Sequence, residues 1–387
     1  MSYDVNPGET QVFEFRGNAR EWFGIWIVNL LLSIVTIGVY AAWAKVRRKK
    51  YFYNNTYVAD RNFDYHATGK QIFIGRVIFI IGYMIFSIAA NLNPILAVIL
   101  ILVLLVLIPW LIVKSMQFNA RVSSFSNVRF NFVGKTGRAF VVFVLLPLLA
   151  YLAIGGLIGG AIYLAFETGQ MILPAVLGLA SVAIMFLAFP VVDRAVKTYV
   201  IGNARLGTAA FELTIELTPF VKAMAAAMAW LVVVGGGFAI AFGATIIDII
   251  ETLETGSGEP GADVVALVGV VYVAFFVALL PASFIYQAIV RNAVFSKASL
   301  EGGHQFRSTI NPLKLFWIAL SNAVVAVCTL GLMLPWTHVR MHKYMAAQTF
   351  FIPGSSLDAF INDQEAQGMS VADAYTDMEG VDFGIPL

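Results

Sequence analysis

The sixteen residues from Thr36 to Tyr51 constrain this chain more than any other stretch: Thr-Ile-Gly-Val-Tyr-Ala-Ala-Trp-Ala-Lys-Val-Arg-Arg-Lys-Lys-Tyr. They carry the end of an apolar helical run into a dense basic turn framed by aromatic residues. That junction suits a bilayer boundary, where rings sit at headgroup depth and cations face anionic lipid. The pattern returns at Thr329–Tyr344, without a gap, at an offset of 293. Thr36/Thr329, Gly38/Gly331, Trp43/Trp336, Arg47/Arg340, Lys50/Lys343 and Tyr51/Tyr344 coincide, as do Phe23/Phe316 and Asn29/Asn322 upstream. Register kept over such a span reads as an internal repeat.

Composition places the chain in a membrane. It has 387 residues, of which 59% are hydrophobic and 12% charged, with a mean hydropathy of +0.81. Soluble domains carry about 25% charged residues, and a chain this poor in charge cannot cover a water-facing surface. One cysteine, Cys328, excludes an intramolecular disulfide and any multi-cysteine metal site. The first twenty residues are polar and include acids, so no cleavable signal peptide is expected.

Eight apolar segments follow, near residues 22–44, 73–91, 95–113, 140–166, 171–192, 223–249, 264–288 and 315–336. Most are long enough to cross about 30 Å of hydrocarbon as a helix. No Lys or Arg falls within 21–44, 77–113, 139–193, 223–290 or 315–339. The short loops at 91–94, 167–170 and 250–263 hold only acidic or neutral residues, so the long basic connections are assigned to the cytoplasm.

An aromatic lead recurs ahead of the segments. Phe13-Glu14-Phe15-x-Gly17, Phe63-Asp64-Tyr65, Phe130-Asn131-Phe132-x-Gly134 and Phe306 each precede a second phenylalanine by ten residues, and Phe211-Glu212-Leu213 is a weaker copy. The expected fold class is therefore all-α: a polytopic helical membrane protein with internal repeats and short, aromatic, strand-like elements on the cytoplasmic side. The expected units are 13–62, 63–129, 130–210, 211–305 and 306–352, followed by an acidic tail over 353–387 that is disordered by default, with short helices at 359–367 and 371–378 and docking on the basic connections or on a partner as the alternatives. Six segments are full spans. The first and last are either terminal spans, which would send both chain ends outside, or re-entrant hairpins breaking near 33–38 and 326–331, which would keep them inside.

Candidate functional residues fall into two groups. Asn29, Asn322, Thr36 and Thr329 are polar within apolar segments, and they either line a pathway or hold helices together by hydrogen bonds. Trp43, Lys45, Arg47, Arg48, Lys50 and Tyr51, with Trp336, Arg340, Lys343 and Tyr344, form two basic–aromatic collars suited to lipid headgroups. His338 and His342 stand four apart, but their counterparts are Lys45 and Lys49, so a basic face is expected there and no metal. No P-loop, G-x-S-x-G or H-E-x-x-H pattern occurs, and the segment centres carry essentially no ionisable residues. No catalytic residue, cofactor or nucleic-acid partner is expected.

The lead Phe-x-Phe-x-Gly, the Thr36–Tyr51 motif, Tyr51–Thr56 and Phe63-Asp64-Tyr65 together resemble the YjgN-like family of bacterial inner-membrane proteins, a domain of unknown function. The resemblance spans nearly the whole chain and implies a multi-pass protein of the bacterial inner membrane. It brings no activity or substrate. It implies at most a protein partner such as a membrane metallopeptidase.

The repeats and collars are compatible with three functions. One is transport through a helical bundle, with a pathway near Asn29 and Asn322. Another is lipid handling by the collars. The alternative is a non-catalytic scaffold or regulator of a partner protein. Transport or lipid handling is the leading expectation, with membrane lipids as partners.

Overall fold

The computed structural model describes residues 6–254 and 262–378. Turn chemistry sets its plan. Ala59–Asp60 and Ser126–Asn127 all have positive φ, between 48° and 66°. That is the two-residue hairpin geometry whose twist matches paired strands. These turns join β3 (Thr56–Val58) to β4 (Arg61–Tyr65) and β5 (Ser123–Phe125) to β6 (Val128–Phe132). Gly207 and the Gly302–Gly303 pair supply the same freedom between β7 (Ala204–Leu206) and β8 (Ala209–Leu213), and between β9 (Ala298–Leu300) and β10 (His304–Ser308).

Between these strand hairpins run helical pairs. The first is α1 (Ala19–Val35) and α2 (Ala41–Asn54), and the second α3 (Gly69–Leu92) and α4 (Pro94–Arg121). The third runs out through α5 (Thr136–Phe140), a π-helical turn at Val141–Leu145 and α6 (Leu146–Thr168), and back along α7 (Ile172–Gly202). The fourth is α8 (Thr218–Glu254), then α9 (Ala262–Leu279) and α10 (Pro281–Lys297); the fifth is α11 (Pro312–Cys328) and α12 (Leu334–Ala347). Helix starts are set by side-chain caps: Asn18, Asn93 and Asn311 each accept from a backbone N–H of the first turn, and Thr68 with Gln71 forms a capping box.

Every helical pair leaves one strand and returns to the strand hydrogen-bonded beside it. Phe15 pairs with Thr56, Phe63 with Phe125, Phe130 with Leu206, Phe211 with Leu300, and Phe306 with Phe351. The last partner lies in β11 (Thr349–Ile352). All neighbours are antiparallel, in an eleven-stranded order of β1-β11-β10-β9-β8-β7-β6-β5-β4-β3-β2. The two outer members, β1 (Gln11–Val12) and β2 (Glu14–Phe15), are separated only by Phe13, so one short stretch of chain pairs with β11 on one flank and β3 on the other. The sheet thereby closes into a ring and leaves almost no free edge.

All helix pairs rise from the same side of this ring. The basic connections lie at the ring, which puts it in the cytoplasm by the positive-inside rule. Among the described residues, six helices are long and apolar enough to cross a membrane, and only 6% to 11% of each spanning window is buried against protein. The sequence expectation of an all-α chain is thus corrected: leads and exits too short to signal themselves by periodicity assemble into a sheet. Within the acidic tail Leu357–Met378 forms α13, with Leu357 and Ile361 buried, so over this stretch the helical, docked alternative replaces disorder. Residues 379–387 of that tail and 255–261 of the acidic loop lie outside the described residues.

The terminal segments are helical hairpins, so both ends of the described chain lie at the ring. Their tips match bond for bond. Gly38 N–H donates to Ser33 and Gly331 N–H to Ala326, each at 2.7 Å, and φ is 84° and 85° at the two glycines. The Thr36 and Thr329 hydroxyls donate to Leu32 and Val325, each at 2.7 Å, and accept from the N–H of Tyr40 and Met333. Buried in hydrocarbon, a turn must satisfy its own backbone, and these do. With 17 residues each in α1 and α11, the hairpins reach about 26 Å, short of the ~30 Å core. Ile37 and Leu330, 94% and 93% exposed, form their apolar tips.

Candidate functional site: a phenylalanine-lined lumen

Side chains alternate across a strand, so one residue of each lead must face the ring axis. That residue is the first phenylalanine of the motif. Phe13, Phe63, Phe130, Phe211 and Phe306 run around the lumen, with successive ring centroids 6.1, 6.5, 6.3 and 6.0 Å apart and nearly parallel planes. The paired residues of the return strands, Phe125, Leu206, Leu300 and Phe351, face inward with Val58 and complete an apolar wall. The second aromatic of each lead points the other way. Phe15, Tyr65 and Phe132 are buried beneath the helix pairs.

A ten-membered ring lined this way is wide enough to leave space along its axis. The lumen holds a cavity of about 390 Å³. α13 closes the mouth away from the membrane. Leu357 and Phe360 enter the lumen, and the Gln364 carboxamide oxygen accepts from the N–H groups of Thr208 and Ala209 at 2.9 and 3.1 Å. Arg61 pairs with Asp358 and donates to Ser126 at 2.7 Å. His304, fully buried, packs at a tilt against Phe351 and edge-on against Phe360, and its Nδ1 accepts from Gly354 N–H at 3.2 Å. Nε2 therefore carries the proton, and burial holds the His304 pKa below the usual histidine range.

The mouth facing the membrane is formed by helix ends. Arg291 and Phe295 of α10, and His342, Met345 and Ala346 of α12, line it. Arg291 and His342 each stand seven residues ahead of the strand their helix enters. A second cavity, about 760 Å³, lies between α7, α8, α10 and α11 and includes Asp193, Lys197, Tyr286 and Gln287. Arg291, Phe295 and Met345 line both cavities, so a crevice between spanning helices abuts the ring lumen at one guanidinium. The Arg291 Nη2 donates to the Thr349 hydroxyl at 3.1 Å, and its guanidinium lies 4.2 Å from the Phe295 ring centroid. Its Nε is buried without a protein partner.

The polar candidates and the two basic–aromatic collars lie outside this lumen, whereas the lead phenylalanines and His342 line it. Asn322 donates to the Thr337 carbonyl at 3.2 Å and accepts from Arg340 at 3.0 Å, which ties α11 to α12. Asn29 is buried in α1, with its Oδ1 unpartnered. The Tyr51 and Tyr344 hydroxyls bond backbone groups of Asn18 and Asn311, bracing the starts of α1 and α11. Burial pushes the Tyr51 phenol up to about 12. Trp43 packs against Gly69 and Phe73, and Arg340 covers the Trp336 ring at 5.1 Å. Lys45, Arg47, Arg48, Lys50 and Lys343 are exposed. His338 accepts from the Trp22 indole at 3.3 Å, His342 lies with its ring centroid 4.1 Å from that of Phe52, and burial, with Arg48 close to both, disfavours their protonation. Among the described residues, no three His, Cys, Asp or Glu side chains stand close enough to share a metal.

Sequence reasoning missed Arg291, Phe295 and the inward role of the lead phenylalanines. The five leads were visible. Their convergence depends on strands paired across hundreds of residues.

The chain is 26% identical over 361 residues to the inner membrane protein YjgN of Salmonella typhimurium, which covers 90% of both chains. It is 25% identical over 372 residues to the inner membrane protein YjgN of Escherichia coli K12, which covers 91% of both. No solved structure matches. Those relatives and the six apolar helices place this chain in the inner membrane as a multi-pass protein. Residues 10–378 match the family described as bacterial protein of unknown function (DUF898), and the chain belongs to that family.

Proposed function

We propose that this protein is a non-catalytic lipid-handling protein, which draws an apolar chain from the inner leaflet through the α7–α8–α10 crevice into the cytoplasmic ring. The observation that carries this reading is the meeting of crevice and lumen at Arg291, Phe295 and Met345. The lumen has the volume and lining of a ligand pocket, mostly apolar with few polar groups. Its position below the membrane suits shielding a chain from water. A through-membrane pathway has less support, because the spans bury little of themselves against one another and α13 stops the ring. We read the five strand-flanked helix pairs as copies of one unit, three elongated to cross the bilayer and two kept short.

Native mass spectrometry of the protein released from membranes tests this. The wild type is expected to retain one chain-bearing molecule per polypeptide, and Leu206→Trp, which fills the lumen, to lose it. Retention unaffected by Leu206→Trp would place the lipid outside the lumen and refute the reading. A second reading, a docking platform for a protein partner, is favoured by the ordered cytoplasmic ring with its α13 cover.

A further inference from the structure

We infer that the lumen's ligand is a single-chain amphiphile with an anionic head, a carboxylate or a monoalkyl phosphate, and that Arg291 binds that head. The inference rests on the lipid reading above and adds the chemical class. Arg291 is half-buried at the junction of crevice and lumen. Thr349 takes one of its N–H groups and Phe295 covers one face, while Nε is buried without a protein acceptor. Among the described residues, no carboxylate lies within 4.0 Å of it. The crevice's own acid, Asp193, is already engaged, accepting from the Tyr286 hydroxyl at 3.0 Å and lying 3.9 Å from the Lys197 ammonium.

A guanidinium taken partly out of water is costly unless an acceptor completes it. Its planar donors match the two oxygens of a carboxylate or phosphate. An anionic head at this point would face those donors while its chain ran down the phenylalanine-lined axis. Size decides the chain number. The lumen cavity of about 390 Å³ lies at the small end of the range of about 300–1,000 Å³ for ligand pockets, which suits one acyl chain rather than two.

The test uses the full-length protein in phosphatidylcholine nanodiscs, with three diazirine probes: hexadecanoic acid, hexadecanol and a diacyl phosphatidylglycerol. Cross-linked peptides are mapped by mass spectrometry. The acid is expected to label the lumen strands more than the alcohol or the diacyl lipid, and hexadecyl phosphate to compete with it. Arg291→Gln is expected to lower acid labelling about tenfold, the scale of one charge-assisted hydrogen bond, and to leave alcohol labelling unchanged. Arg291→Lys should restore part of the loss. Should Arg291→Gln fail to fold, Thr349→Val removes one anchor of the guanidinium without changing side-chain volume, and a smaller loss confined to the acid is expected. Equal lumen labelling by acid and alcohol, unchanged in the variants, would overturn the anionic-head assignment and leave the lipid reading standing. Preference for the diacyl probe would overturn the single-chain assignment. No lumen labelling by any probe would sink both.

Discussion

Gly17 and Gly134 end the Phe-x-Phe-x-Gly lead, and the same physical reason requires both. A Cβ at Gly17 would lie 2.7 Å from the Phe15 ring and 2.9 Å from the Tyr51 hydroxyl. At Gly134 it would lie 2.5 Å from both the Phe132 ring and the Tyr199 hydroxyl. In each copy the outward aromatic folds back beneath the glycine, while a tyrosine from the returning helix reaches the start of the outgoing one. Gly17→Ala and Gly134→Ala should each cost about 1–3 kcal/mol through overpacking, seen as a lowered thermal midpoint in detergent. Gly75→Ala, on α3 with nothing within 4 Å of its Cβ, should be neutral or gain up to about 1 kcal/mol. Equal effects at all three sites would contradict the close-packing account. The motif is plain in the sequence, but its purpose is not. A tyrosine behind a run of lysines reads as an interface residue until the helix it braces, some thirty residues earlier, is in view.

At the scale of elements, the hairpin alternative for the terminal segments was legible because the repeated basic collars at Lys45–Tyr51 and His338–Tyr344 share one side only if each segment turns back near Gly38 and Gly331. The strands were legible only as aromatic leads, since two to five residues are too few to establish an alternating period. The matched tips of the α1–α2 and α11–α12 hairpins make a topological prediction. In a Cys328→Ser background, Gln170→Cys should react with an impermeant maleimide from outside intact cells, and Asp60→Cys only in inverted vesicles. Ile37→Cys and Leu330→Cys should resist from both sides, because a thiol in hydrocarbon does not ionise. Ready labelling of Ile37→Cys from outside would turn the first hairpin into a crossing and remove its returning strand from the ring.

At the scale of the molecule, the sheet, the lumen and the C-terminal helix act as one packed body, and His304 is a buried titratable group within it. Burial lowers its folded pKa below the ordinary value near 6.5. The unfolded chain therefore takes up the proton first. The stability from neutral His304 is complete above about pH 6.5 and falls, by at most about 1.4 kcal/mol per pH unit, as the solution is acidified below that point. Burial shifts His338 in the same direction. The thermal midpoint is expected to drop between pH 7.5 and 5.5, and the drop to shrink in His304→Gln. An unchanged drop in that variant would reassign the effect. Apolar runs and basic collars disclosed the membrane and the orientation. The closed ring stayed hidden because its pairings join positions that no local pattern connects.

That closure also fixes when the protein can be finished. Gln11–Phe15 leaves the ribosome well before one of its partners, β11, which is made roughly 340 residues later. At about 5–20 residues per second, the opening strand waits on the order of 20–70 s with one flank bare, while the translocon is still inserting the spans between. Interrupted translation would therefore release a chain that is already anchored in the bilayer but open along one seam, a natural substrate for quality-control proteolysis.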